Sequence, residues 1–164
     1  MTNTLKLICA ALLAACVFTG CEKADTPENK LDGKVVRISD GDTVTIETDN
    51  GTRVKIRLNG IDAPESGQEF GQESRAKIAE LIDGEDVSVK THSHDRYNRV
   101  LGEIFLDGRN INLTMVQEGC AWHYVKYAPN DKELAKAQQQ AKEAKKGLWA
   151  NPNAVPPWEY RKKK

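Results

Sequence analysis

The sequence is short of three things, and each shortage removes a class of protein. It has no excess of either charge, with 24 basic and 24 acidic residues. A neutral chain lacks the electrostatic footprint of a protein that grips nucleic acid tightly without regard to sequence. It is also short of usable cysteine. Of the 4 cysteines, Cys9, Cys16 and Cys21 crowd the N-terminus, so Cys120 stands alone and no intrachain disulfide is available to the rest of the chain. Cys120 follows Gly119 in an apolar context and reads as a small core residue. Finally, the apolar run Leu7 to Phe18 is too short to span a bilayer. No internal repeat is present, and the length suits one domain with its own core.

What the N-terminus does contain is a secretory signal. Met1 to Gly20 carries Lys6 as its one charge, then the apolar run, then Thr19-Gly20-Cys21. Small residues before a cysteine resemble a bacterial lipoprotein cleavage box, which makes Cys21 the expected lipidated residue. Leu13-Ala14-Ala15-Cys16 fits the same box but leaves a shorter apolar region, and secretion without a lipid is the alternative. Residues 22–32 are polar and aperiodic and read as a tether. The expectation is export across the cytoplasmic membrane and retention at the cell envelope by the lipid alone. A domain over 33–150 and a Pro- and Trp-containing basic tail over 151–164 complete the division.

Within the domain the pattern is mainly of strands. Val35-Val36-Arg37-Ile38 leads to an Asp40-Gly41 turn; Thr43 to Glu47 is a second strand, and Asp49-Asn50-Gly51 a hairpin signal into Arg53 to Leu58. In that third strand Val54, Ile56 and Leu58 share one face, and Lys55 and Arg57 the other. Val87 and Val89 mark a fourth strand and Val100 to Leu106 a fifth. Ser66 to Glu69 has capping-box spacing ahead of a helix with Phe70, Ser74, Ile78, Leu81 and Ile82 on one face. A short helix over 112–118 stops at Gly119. A last one opens at Asn130-Asp131, with Leu134, Ala137, Ala141, Ala144 and Leu148 on a face. The proline-rich tail cannot continue as helix; its aromatics are expected to pack back on the domain and Arg161 to Lys164 to stay loose. The pattern alone indicates an α+β fold.

The residues with chemistry cluster around Arg57-Leu58-Asn59-Gly60-Ile61-Asp62-Ala63-Pro64-Glu65. Arg57 ends a strand, Asn59-Gly60 breaks it, and Ala63-Pro64 holds the chain extended. Asp62 and Glu65 are thus offered from a loop, and two hard-oxygen groups beside a fixed cation suit a divalent metal and a phosphate. Asp40-Gly41-Asp42-Thr43 adds an acidic turn upstream, and Asp95-Arg96-Tyr97-Asn98-Arg99 a second arginine downstream. Seen singly, an acidic turn is usually a turn, and a strand arginine is usually solvated or surface-paired. His92 and His94 sit beside Asp95 but lack a third ligand at recognisable spacing, so a solvated turn is preferred to a zinc site.

In this order and spacing the three segments resemble the staphylococcal-nuclease (thermonuclease) family, from about Gly33 to Trp149. The resemblance implies a five-stranded OB-fold barrel with about three helices. It also implies a calcium-dependent nuclease that cleaves DNA and RNA, single-stranded or loose duplex by preference, and leaves 3′-phosphates. By the same resemblance Asp42, Asp62 and the Ala63 carbonyl would hold Ca2+; Ala63 replaces a common threonine, and because a carbonyl ligand survives that change it costs the site little. Glu65 matches the family's proposed general base, and Arg57 and Arg99 its two arginines. Arg96 and Tyr97 match positions near the bound nucleotide; an ordinary packed tyrosine is the alternative for Tyr97. Asn98 replaces a common glycine and tolerates the same left-handed backbone. Val125 stands where a tyrosine is best known, so Trp122 to Tyr127 are left out of the expected site. No obligate protein partner is implied, and a monomer is expected. The rival reading is a catalytically inactive OB module of the envelope that binds nucleic acid or a protein. Such a module would be expected to lose these carboxylates and arginines, which this chain keeps.

Overall fold

Five strands of alternating burial close on themselves in the computed structural model, which describes residues 29–163. They are β1 (Lys30–Asp40), β2 (Thr43–Glu47), β3 (Arg53–Leu58), β5 (Asp86–His94) and β6 (Val100–Leu106), with the two-residue strands β4 (Ile61–Asp62), β7 (Arg109–Asn110) and β8 (Trp122–His123) between and after them. The order β3-β2-β1-β5-β6 is closed by a parallel pairing of β3 with β6, which sets Arg57 beside Leu101. This is the α+β OB-type barrel that the resemblance implies. The signal peptide, Cys21 and the tether up to residue 28 lie outside the described residues.

β1 closes the barrel by serving two neighbours. Lys30 to Lys34 pair with β5 and Lys34 to Asp40 with β2. Register shifts on the β2 side fall between Val35 and Arg37 and between Ile38 and Asp40, the bulges by which a strand bends and increases its twist. The strand therefore begins inside the stretch read as a tether: Lys30, Leu31 and Asp32 are paired to Lys90, Val89 and Ser88. In β3, Ile56 and Leu58 are fully buried, Val54 is half-buried and Lys55 exposed, as the alternation predicts.

Helices cover the barrel and supply seven of the 21 residues of its main core cluster. α1 (Gly71–Ile82) buries Ser74, Ile78 and Ile82, and α2 (Ile111–Gln117) buries Ile111, Met115 and Val116 against Val35, Val44, Ile46, Val89 and Ile104. α3 (Lys132–Glu143) is capped by Asp131, whose side chain accepts from the Leu134 N–H, and buries Leu134, Ala137 and Ala141. Ala144 is exposed, contrary to the helical-face reading, because the helix ends at Glu143 and the chain turns through Lys145 and Gly147 at positive φ. Cys120 is buried, and burial pushes its thiol up to about 11, which makes it an inert core group.

Two local expectations are corrected. The Ser66 to Glu69 capping box does not form: α1 starts after Phe70 in the left-handed region with no side-chain cap. The turn that precedes it folds Gln68 N–H onto the Glu65 carbonyl, and Gly71 lies so close to that carbonyl that a Cβ would stand 1.9 Å from it. The tail is also partly helical. α4 (Pro157–Tyr160) takes Pro157 at its start, where the missing N–H costs nothing, and a 3₁₀ turn covers Arg161–Lys163.

Asn112 joins the barrel seam to α2. Its amide donates to the carbonyls of Asn59 (2.9 Å) and Gly102 (3.1 Å), and its Oδ1 accepts from the Ile104 N–H at 3.1 Å. Asn112→Ala strands these buried backbone groups and is expected to destabilise the fold by about 2–3 kcal/mol. A urea midpoint lowered at unchanged slope would establish this; an unchanged midpoint would refute it.

Candidate active site

The turn after β1 places the first carboxylate. Asp42 N–H donates to Asp40 Oδ1 at 3.1 Å, and the Asp42 carbonyl accepts from the Leu58 N–H at 2.9 Å, which ties the turn to the end of β3. Gly41 is needed for close approach: a Cβ there would meet Ser74 Oγ at 2.0 Å and Ala63 Cβ at 2.8 Å. Register then decides what Asp42 meets. Thr43 pairs with Arg57 across β2 and β3, so Asp42 lies one residue from the strand position opposite the guanidinium.

Arg57 is held at both ends of its fork. Nη1 donates to the carbonyls of Leu58 (2.7 Å) and Ile61 (2.9 Å), and Nη2 lies 2.8 Å from Asp62 Oδ1 and 3.0 Å from Asp42 Oδ2. Asp62 is fixed by the β4–β8 pairing, opposite Trp122, and is fully buried; Asp42 is 5% exposed. Asp42 Oδ2 also accepts from the Ala63 N–H at 2.7 Å. Burial pushes the Asp42 carboxyl up to about 7, and the charges of Asp40 and Asp62 add to the rise; Arg57 and the Ala63 N–H oppose it without cancelling it.

The second arginine is oriented by a residue that the sequence presents only as a turn. Asp95 Oδ1 accepts from the N–H groups of Tyr97 (2.9 Å) and Arg99 (3.0 Å), and Oδ2 from Arg99 Nε at 2.7 Å. Burial raises the Asp95 carboxyl, but these donors outweigh it and hold it below the usual range. Asn98 takes the expected left-handed conformation, φ 58°. Arg99 Nη1 reaches Thr43 Oγ1 at 3.5 Å, next to Asp42. Tyr97 is 65% exposed, with the guanidinium of Arg96 at 4.8 Å from its ring centre, so the packed-tyrosine alternative does not hold.

All these groups line one cleft of about 770 Å³: Asp42, Arg57, Asp62, Ala63, Glu65, Arg96, Tyr97 and Arg99. Tyr124, Lys126 and Tyr127 line it too, although the sequence reading set their segment aside. The other missed residue is Arg161, expected to be loose. Its Nη1 and Nη2 contact Asp62 Oδ1 (3.2 Å) and Oδ2 (2.8 Å), and Nη1 contacts Glu65 Oε1 at 2.7 Å. His92 and His94 lie in β5, where His92 Nε2 meets Glu103 Oε1 at 2.8 Å. No cluster of three or more His, Cys, Asp or Glu ligands occurs among the described residues; Asp42 and Asp62 are the two buried carboxylates that meet at one Arg57 nitrogen.

Residues 55–151 match the family model for staphylococcal nuclease homologues. The chain is 41% identical to a micrococcal nuclease of Shigella flexneri, over 79% of this chain and 80% of that protein. It is 42% identical to an uncharacterized endonuclease of Escherichia coli, over 82% and 87% of the two chains. A third relative, an uncharacterized endonuclease of Haemophilus influenzae, is 37% identical over 99% of this chain and 88% of its own.

The raised Asp42 carboxyl has a measurable consequence. The native state holds that proton more tightly than the unfolded chain, so the group's stabilising contribution is full below its ordinary 3.8 and is lost as pH rises through about 7. In chelator, Asp42→Asn is therefore expected to gain melting temperature over the wild type as pH rises from 4 to 8. The gain should reach at least about 2–4 °C, the shift that about 1 kcal/mol makes in a domain of this size. A difference independent of pH would show that Asp42 is not held protonated by the fold.

Proposed function

The chain belongs to the staphylococcal nuclease family and is a phosphodiester hydrolase acting on nucleic acid; on that premise we propose a calcium-dependent nuclease that cleaves DNA and RNA and leaves 3′-phosphates. One observation carries the reading: two arginines and three carboxylates from separate segments face one cleft. A neutral or inert OB module has no use for buried, mutually repelling carboxylates at such a place.

The donor set fits a hard divalent cation. Asp42 and Asp62 converge on a single Arg57 nitrogen, and both are buried, so their like charges are brought together out of water. Oxygen-only ligands of this kind suit calcium better than a softer metal. Asp42, Asp62 and the Ala63 carbonyl would hold it, and water and substrate would complete its shell. Bound there, the cation would offset phosphate charge and acidify a water.

The remaining work falls to the chain's own side chains. Glu65, on the loop after β4, accepts the proton of the attacking water. Arg57, anchored through Nη1 to two backbone carbonyls, would turn Nη2 from Asp42 and Asp62 to a phosphate oxygen once a cation takes over those carboxylates. Arg99, held by Asp95, presents its outer N–H groups to the equatorial charge and to the leaving 5′ oxygen. Paired donors in a fixed plane are what a lysine could not supply. Arg96 and the exposed ring of Tyr97 would meet the nucleotide flanking the cleaved bond.

The N-terminal segment adds a location to this reading: export, lipidation at Cys21 and a monomeric domain held at the envelope, acting on nucleic acid outside the cytoplasm. The near-neutral charge suits turnover of loose substrates rather than tight, processive binding.

Single-stranded DNA hydrolysis with calcium, with magnesium and with chelator tests the reading. Cleavage is expected with calcium only, giving 3′-phosphate ends. Glu65→Gln should lower kcat by about 10²–10⁴-fold, and Arg99→Lys by about 10²–10³-fold through the lost paired donors. A folded wild-type protein that is inert with every cation would instead favour the binding module.

A further inference from the structure

The C-terminal segment is a strap packed beside the cleft that sends Arg161 into its lining. Trp158 stacks on Tyr124, with ring centres 5.2 Å apart and planes 4° from parallel, and meets Trp122 edge-on at 5.6 Å. Tyr160 Oη donates to the Gly67 carbonyl at 2.8 Å, and Gln68 Nε2 to the Val155 carbonyl at 2.6 Å. These anchors fall on the segments that carry the site: Gly67 and Gln68 follow Glu65, and Trp122 pairs with Asp62. The strap thereby delivers Arg161 to both oxygens of Asp62 and to Glu65.

Asp62 is buried, and its oxygens already accept from Arg57 and Arg161 together. A divalent cation on the same oxygens would face the Arg161 guanidinium at contact range, so the two occupants exclude each other. The same fork holds Glu65, the expected base. We propose that Arg161, carried on the strap, fills the cation's place on Asp62 and holds Glu65 idle, so that the enzyme sets its own cation threshold: loading requires the strap to let go. The inference rests on the reading of Asp42 and Asp62 as cation ligands. The Arg161 side chain is 42% exposed, so its ion pairs are shared with water and can be exchanged for a cation.

Calcium binding to the purified protein, followed by titration calorimetry, separates the possibilities without reference to activity. Arg161→Gln is expected to bind calcium about tenfold more tightly than wild type, as removal of a competing state populated about 90% of the time would give. Trp158→Ala, which keeps Arg161 but removes the strap's stacking anchor, should tighten binding in the same direction, and Asp42→Asn should lose it. Equal affinities in wild type and Arg161→Gln, with binding still lost in Asp42→Asn, would overturn the strap and leave the cation reading intact. An unchanged affinity in Trp158→Ala would overturn the strap as the carrier of the effect. Undiminished binding by Asp42→Asn would remove the cation reading, and this proposal with it.

Discussion

The structure turns on one buried arrangement, Arg57 between Asp42 and Asp62. Each member comes from a different piece of backbone: Asp42 from the turn between β1 and β2, Arg57 from the end of β3, Asp62 from the short β4 held by β8. Burying two carboxylates against one guanidinium is costly even with Arg161 added on Asp62 from the surface side, and the upward push on Asp42, caused chiefly by its burial, is the sign of that cost. A fold selected for stability alone would replace such a cluster with apolar side chains. Compensation is shared within the chain: Arg57 serves both carboxylates, Arg161 serves Asp62 a second time, and the proton that burial favours on Asp42 relieves the rest.

The barrel explains why these groups can be held still. Parallel pairing of β3 with β6 closes the sheet at Arg57 and Leu101, so the arginine stands at the closing seam rather than on a free edge. The Arg99 turn follows from the same seam, since β5 and β6 are joined through Asp95 to Arg99 and β6 returns directly beside β3. Asn112 then satisfies the carbonyls of Asn59 and Gly102 at the seam's end. The candidate site groups are positioned here by strand ends, each loop short enough that the strands leave it little freedom.

Local pattern made much of this legible. Alternation exposed the β3 face, Gly and Asn marked the turns, and Asp131 announced α3, because each of these signals acts over a few residues. What stayed hidden was set by distance along the chain. Arg161 meets Glu65 and Asp62 across 96 and 99 residues, and no period or motif connects them. Asp95 looked like turn chemistry, and it is that as well: one carboxylate accepts the turn's N–H groups and steers Arg99. The capping box at Ser66 failed for a related reason, since the Glu65 loop and Gly71 had to pack closer than a capped helix start permits. A two-letter breaker such as Pro-Pro also misled, because Pro157 opens a helix as readily as it ends one.

Charge within the cleft resolves the oddity of a neutral protein that handles a polyanion. Asp40, Asp42, Asp62, Glu65 and Asp95 line it against Arg57, Arg96, Arg99, Lys126 and Arg161, five carboxylates facing five cations. The wall is therefore balanced in itself and offers a phosphate chain no net attraction. A divalent cation held as proposed would break the balance by adding its own charge, and by taking Asp62 from Arg161 would turn a guanidinium already counted there toward the substrate. The cleft would then be positive at close range, and Coulomb attraction falls off within about one Debye length, roughly 8 Å at physiological salt. On the proposed reading, affinity for nucleic acid would be confined to the reacting phosphate and to the loaded state, and release after each cut would be favoured over travel along the strand.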